Sequence, residues 1–324
     1  MWVRRSTKAC PEPAEGRQNR RKVSESYSPW GRRLRTATQK SILYTMYDLA
    51  ALDSSLSGTI FAGKVHYAST TTSTNSDALA AARSAEPHGS VYVADEQLAG
   101  RGRGGHAWIS AAGEGLYVSV LLRPRFPLAR LPLLPLAAGL AAADAIRAVA
   151  SLPVDLRWPN DLLIGPRKAG GILAEATTHS KSPLHALAVV GIGINVHQRA
   201  FPPDLATPAT SLDMESWAPD DRSSSLGWKS GRRISRQALL VALLESLQRE
   251  ALALENPDAA KEIVARVEKA STWMRGRNVE VHGSQTCTGV TAGLDENGFL
   301  RVATAEGLVT VQTGGLRDKP ASSC

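Results

Sequence analysis

Residues Gly100 to Ser110 read GRGRGGHAWIS, and how they are read decides the fold. Glycines at 100, 102 and 105 satisfy G-x-G-x-x-G, the pattern of a dinucleotide-binding turn. That turn needs a strand running directly into the glycines and a helix opening out of them, so that pyrophosphate meets the helix N-terminus. Here VYVAD upstream reads as a strand but EQLA intervenes, and downstream GLYVSVLL is β-branched, aromatic and aliphatic, a second strand. Strand, glycine loop, strand predicts a flap between two strands. Arg101 and Arg103 inside it then need a reason, because a dinucleotide turn grips phosphate with backbone N–H groups. Two guanidiniums on a flap predict a grip on an anion.

Working outward, the 324 residues leave room for one large domain or two unequal ones. The net charge of +8 is not spread over the chain: residues 1 to 40 hold 11 Lys/Arg against 3 Asp/Glu, which leaves 27 of each sign elsewhere. The basic character therefore belongs to a tail and does not license nucleic-acid binding by the folded part. That tail, residues 1–45, is poor in aliphatic residues and without period, so disorder is expected. A transit peptide, or a translation start at Met46, are the other readings of it. Cys10, Cys287 and Cys324 show no C-x-x-C spacing, and the seven histidines form no H-x-x-x-H pair. Neither a disulfide framework nor a protein-ligated metal is expected, and a cytoplasmic setting suits the free thiols. The longest uncharged apolar run, Leu131 to Ala143, is 13 residues with two prolines and too short to span a bilayer.

From residue 46 the texture is mixed. Helices are expected at MYDLAALDSSL, NSDALAAARSA, LPLAAGLAAADAIRAVA and SRQALLVALLESLQREALALE, the last with apolar residues recurring at three and four. Strands are expected at SVYVAD, LYVSVLL, DLRWP, GGILAEA and ALAVVGIGINV. Asn75-Ser-Asp77 ahead of ALAAA offers ordinary N-cap chemistry. ESWAPDDRSSSLGWKS, within 214–231, is polar and aperiodic and reads as a surface loop or insertion. Beyond Trp273, NVEVHG, TCTGVTAGL, GFLRVAT and GLVTVQT are short alternating strands with DENG as a hairpin turn. The expected fold class is α+β: a mixed central sheet flanked by helices over 46–272, and a small C-terminal β barrel over 273–324.

Five pieces stand out together: TTSTN at 71–75, DEQLAGRGRGGHAW at 95–108, RWPND at 157–161, RKAGGILAE at 167–175 and GIGINV at 191–196. Each alone is weak. STN is a generic helix cap, WPND a plain turn, and a tryptophan beside a strand is most often core. Their order and spacing resemble the biotin protein ligases, and the resemblance covers residues 46 to about 317. It implies a class II synthetase-like catalytic domain with an SH3-like barrel. The implied activity is ATP-dependent activation of biotin as biotinyl-5′-AMP, then transfer to a lysine of a biotin carboxyl carrier protein.

The chemistry agrees with that resemblance. Attack of a carboxylate on the α-phosphate of ATP brings two anions together, so fixed cations must offset their repulsion. Arg101, Arg103 and Lys168 are the candidates, and closure of the flap would shield a mixed anhydride from water. By resemblance, Ser73, Thr74 and Asn75 hold the biotin ring system with Gln97 beside them, while Arg101, Gly102 and Arg103 cover the intermediate. Lys168 contacts the carboxylate and α-phosphate oxygens, and Trp108 packs near the adenine. Asn160 and Asn195 lie on the nucleotide side, and Asp161 orients the acceptor lysine or draws off its proton. Magnesium comes with the ATP phosphates, without a dedicated ligand cluster.

Gly104, Gly105 and His106 depart from the family pattern, which carries further basic residues there, and a more mobile loop is the expectation. Thr72 precedes STN where an acidic residue is common, and TGGLRDKP departs from the usual C-terminal ending. Some family members carry an N-terminal winged helix-turn-helix and repress operons. Residues 1–45 are too short and aperiodic for one, so a monofunctional ligase, monomer or homodimer, with no DNA or membrane partner is expected. A lipoate ligase would share the fold, but GRGR with WPND favours biotin. A basic-tailed nucleic-acid-binding protein is the rival from another class.

Overall fold

The computed structural model describes residues 47–84, 86–179, 182–216 and 233–319. The expected tail and most of the expected 214–231 loop lie outside the described residues.

The sheet is built in chain order from β1 (Val65–Thr71), β2 (Ser90–Gln97), β3 (Gly115–Leu122), β4 (Asp155–Arg157), β5 (Asp161–Ile164), β6 (Arg167–His179) and β7 (Ser182–Asn195). Their spatial order is β1-β2-β3-β7-β6-β5-β4. Only β1 and β2 run parallel, and every other neighbour pair is antiparallel, so the sheet is mixed. The helices are α1 (Leu49–Ser55), α2 (Thr74–Arg83), α3 (Leu134–Ala150), α4 (Leu212–Ser216), α5 (Arg236–Glu255) and α6 (Pro257–Lys269).

The alternation of strand side chains sorts the helices between the two faces. Leu116, Val118 and Val120 of β3, with Val190, Ile192 and Ile194 of β7, join α3 and α5 in the main core. The opposite face carries Leu121, Leu187 and Val189 against Ala78 and Ala82 of α2. Helix α2 covers only one end of that second face; the rest lies open as a cleft. The stretch Leu128–Ala150 is long and apolar enough to cross a membrane by length and composition, yet 67% of its most apolar window is buried inside the fold. It is a core helix, apolar on nearly all sides because both the sheet and α5 pack on it.

Side-chain caps set three of the six helix starts. Asp48 accepts from Ala51 N at 3.0 Å, Ser235 from Ala238 N at 3.2 Å, and Asn256 from Asp258 N at 2.9 Å. Helix α6 was not foreseen, although Asn256-Pro257 is an N-cap and N1 pair and Ala260, Ile263 and Val267 recur on the buried side. Strands β1 and β5 and helix α4 were also unforeseen; α4 takes up the first residues of the expected 214–231 loop.

After α6 come β8 (Arg275–His282), β9 (Cys287–Leu294), β10 (Leu300–Thr304), β11 (Gly307–Val311) and β12 (Gly315–Asp318). They form an antiparallel sheet ordered β11-β10-β9-β8-β12, consistent with an SH3-like domain. Strand β12 lies in TGGLRDKP, a segment in which no strand was foreseen. The Asp295–Gly298 turn docks on the part built on the seven-stranded sheet: Trp158 Nε1 donates to Gly298 O at 3.0 Å, and Gly298 faces Leu133 and Leu136. The hydrophobic core is continuous across the junction, with Val279, Val281 and Leu300 in the same cluster as α3 and α5.

Candidate active site

The flap lies between β2 and β3 as a hairpin of its own. Gly102 N donates to His106 O at 2.7 Å and Trp108 N to Gly100 O at 2.8 Å, while Gln97 N reaches Ser110 O at 3.1 Å. Gly104 and Gly105 sit at φ 67° and 81°. Side chains rarely adopt that left-handed region, so the turn itself calls for glycine where the family pattern has a basic residue. Both flap arginines are engaged across the cleft. Arg101 pairs with Glu175 of β6, and Arg103 donates to Gly314 O and Thr313 Oγ1 in the connection between β11 and β12. Burial pulls the Arg103 guanidinium below its ordinary value, with Asp161 opposing. An anion arriving there meets a charge poorly screened by water.

At one end of the cleft stands the N-terminus of α2. The N-cap is Ser73, whose side chain makes no capping bond; it is 1% exposed and its Oγ has no partner among the described residues. The plain N-cap reading of Asn75 and Asp77 therefore fails, because the helix already begins at Thr74. Thr74 N donates to Gln97 Oε1 at 2.9 Å, and Gln97 Nε2 donates to Ser110 Oγ at 2.8 Å, joining helix and flap base. Asn75 is 3% exposed; its Oδ1 accepts from Ser119 Oγ at 2.6 Å and its Nδ2 donates to Glu175 Oε2 at 2.8 Å. Both glycines of GIGIN face this side: a methyl on Gly191 would collide with Asn75 Oδ1, and one on Gly193 would stand 2.6 Å from Trp108. Ile192 and Ile194 point into the core.

At the other end the contacts are ionic. Lys168 Nζ lies 2.5 Å from Asp161 Oδ1, and Arg157 NH2 lies 2.6 Å from Asp161 Oδ2. Burial works to raise the Asp161 carboxyl, but the Lys168 and Arg157 charges outweigh it and hold it below the usual carboxylate range. A carboxylate so held is a weak base, fixed between Lys168 on one oxygen and Arg157 on the other. The ammonium also lies 5.6 Å from the centre of the Trp108 ring, within cation–π range. Trp108 Nε1 is buried without a partner among the described residues.

One cleft of about 1010 Å³ is lined by every residue the sequence singled out: Ser73, Thr74, Asn75, Gln97, Arg101, Gly102, Arg103, Trp108, Asn160, Asp161, Lys168 and Asn195. Two of them spend their amides internally. Asn160 Nδ2 donates to Ile172 O at 2.7 Å, stitching the WPND turn to β6, and Asn195 Nδ2 donates to Thr210 O at 2.9 Å. Sequence reasoning missed Glu175, Arg157 and Ser119. Two of them carried a signal: Gly171, Leu173 and Glu175 share one strand face, and Ser119 is a lone hydroxyl in an otherwise apolar strand. Thr313 and Gly314 carried none, since only tertiary folding brings them to Arg103.

A flap bearing two arginines beside a neutral polar corner and a charged lysine, with an appended antiparallel sheet, is not the arrangement of a dinucleotide-binding turn. Residues 67–195 match the model of the biotin/lipoate A/B protein ligase family. The chain is 33% identical over 252 residues to the biotin–[acetyl-CoA-carboxylase] ligase of Mycobacterium tuberculosis, covering 75% of this chain and 85% of that protein. It is 40% identical over 159 residues to the bifunctional ligase/repressor BirA of Bacillus spizizenii. That match spans about half of each chain, 48% in both cases. Among solved structures, the biotin protein ligase from Aquifex aeolicus in complex with biotin and ATP is similar at a TM-score of 0.63 and 29% identity, covering 79% of this chain and all of that one. This chain belongs to the biotin/lipoate A/B protein ligase family.

Proposed function

We propose that the protein is an ATP-dependent biotin protein ligase. The observation that carries this reading is the single cleft, with a neutral polar corner at one end and Lys168 at the other, bridged by a flap bearing two arginines. Biotin's ring system takes the corner of Ser73, Thr74, Asn75 and Gln97, where the buried Ser73 hydroxyl has its hydrogen bonds free to give. Its carboxylate then lies toward Lys168. One carboxylate oxygen attacks the α-phosphorus of ATP, the bond to the β-phosphate oxygen breaks, and pyrophosphate leaves. Lys168 and the flap arginines stabilise the charge on the α-phosphate. In the second step the amine of a carrier-domain lysine attacks the acyl carbon and AMP departs. Trp108, wedged against Gly193, offers a flat face to the adenine.

Among the described residues no group of three or more His, Cys, Asp or Glu stands together to hold a metal. Magnesium would be held by the nucleotide phosphates, where it would neutralise charge on the leaving pyrophosphate. The partner is a biotin carboxyl carrier domain of a biotin-dependent carboxylase. Pyrophosphate release by purified protein with ATP and magnesium, comparing biotin with lipoate, tests this reading. A biotin-dependent burst followed by labelling of one carrier lysine is expected. No burst with either acid removes the proposal, and a burst with lipoate alone replaces it.

A further inference from the structure

Glu175 stands between the two parts of the site that must cooperate, and the assigned roles leave it unused. Its Oε2 accepts from Asn75 Nδ2 at 2.8 Å and also pairs with Arg101 of the flap. Asn75 in turn accepts from Ser119 at 2.6 Å, and Ser119 Oγ lies 2.8 Å from Thr74 Oγ1. A continuous polar chain thus runs from the start of α2, through one carboxylate, to the flap. Ser119 is a donor to Oδ1 and Glu175 an acceptor from Nδ2, so the two together fix which way the Asn75 amide faces. The pairing of Arg101 with the same carboxylate holds the flap over the cleft through a bond that an arriving phosphate can compete for.

Resting on the ligase reading above, we propose that Glu175 is a positioning residue that couples the acid corner to the flap. It orients Asn75 for the acid and parks Arg101 until the nucleotide draws it off. A neutral acceptor could serve Asn75, whereas only a carboxylate can hold Arg101 by charge. The two jobs are therefore separable by substitution.

The test uses the full chain with Glu175→Gln, which keeps an acceptor for Asn75 but drops the charge, and Glu175→Ala, which drops both. Hydrogen exchange in the ligand-free protein is expected to be about two- to fivefold faster in E175Q across the flap peptide 98–110, and unchanged elsewhere. In biotin-dependent pyrophosphate exchange, KM for biotin is expected to stay near wild type in E175Q and to rise about tenfold in E175A. Equal flap exchange in wild type and E175Q overturns the proposal, as does an equal rise in KM in both variants. Should E175A fail to fold, the E175Q exchange result decides by itself. The exchange measurement needs no ligand, so it still decides the latch if the wild-type protein proves inactive with biotin and the ligase reading falls.

Discussion

The two ends of the cleft solve the same packing problem by opposite means. At the α2 end, Thr74, Asn75, Gln97, Ser110 and Ser119 bond to one another as neutral groups, with Glu175 the one carboxylate in contact. At the β5 end, Arg157, Asp161 and Lys168 are all charged and touch directly. Neutral donors and acceptors suit a ring system that carries no charge, because each can exchange one partner for another at small net cost. A charged triad suits a phosphate, because its field is already in place before the anion arrives. Breaking either end should therefore have a different signature.

The largest effect is expected from Lys168→Ala. It removes the cation aimed at the reacting oxygens, and the maximal rate of biotin-dependent pyrophosphate exchange should fall about a hundred- to a thousandfold, with KM for biotin changed far less. If KM rises instead and the rate is kept, Lys168 holds the acid and the division between the two ends is wrong.

Asp161→Asn comes next and acts on stability. It leaves Arg157 and Lys168 facing each other without their shared carboxylate, at a cost on the order of 3 kcal/mol. The folded Asp161 titrates below the ordinary aspartate value of about 3.9. Its stabilisation is thus complete above that value and is lost as pH falls through the lower folded value. Melting curves of wild type and variant should stand apart near neutral pH and converge below about pH 4. A gap that stays constant down to pH 3 would show that the triad contributes no titratable stability.

A smaller, local effect separates the ends more sharply. Gly191→Ala puts a methyl where Asn75 Oδ1 now lies, and the amide must move. KM for biotin should rise about tenfold while KM for ATP holds, as measured by initial rates with each substrate varied. A rise in both would mean the two ends share one wall and are not independent.

Much of this was legible in the chain, for reasons that differ by element. GRGRGGHAWIS could be read as a flap because β2 and β3 carry strong strand signals on either side of it. The alternation in GIGIN put small residues on one face and isoleucines on the other, which is how β7 serves cleft and core at once. Strand β1, VHYASTT, was hidden because its seven residues lie at the sheet edge, mostly half-exposed, with no clean apolar alternation. Helix α6 was hidden by its charges, although its Asn-Pro start was present. The surroundings of Asp161 could not be read: its motif position suggested a residue that orients the acceptor lysine or draws off its proton, and only the three-dimensional structure shows its carboxylate held between Arg157 and Lys168.

The smallest expected effect concerns the flap tip. The family pattern places further basic residues after GRGR, and here Gly104, Gly105 and His106 stand there. Adding a cation at 104 or 105 would force a side chain into the left-handed region, so any gain would be offset by strain. His106 is different: its φ is −67°, open to any residue, and its backbone already closes the hairpin through the bond from Gly102 N at 2.7 Å. His106→Arg can therefore add charge without disturbing the turn. An exposed cation contributes little by itself, so loss of biotinyl-AMP from the protein in the absence of carrier should slow only about two- to fivefold. The effect should shrink as salt is raised, since solvent-exposed charges are screened within about 10 Å at 0.1 M ionic strength. Slower loss that persists unchanged at high salt would point instead to a stiffer flap, and would move the cause from electrostatics to the hairpin itself.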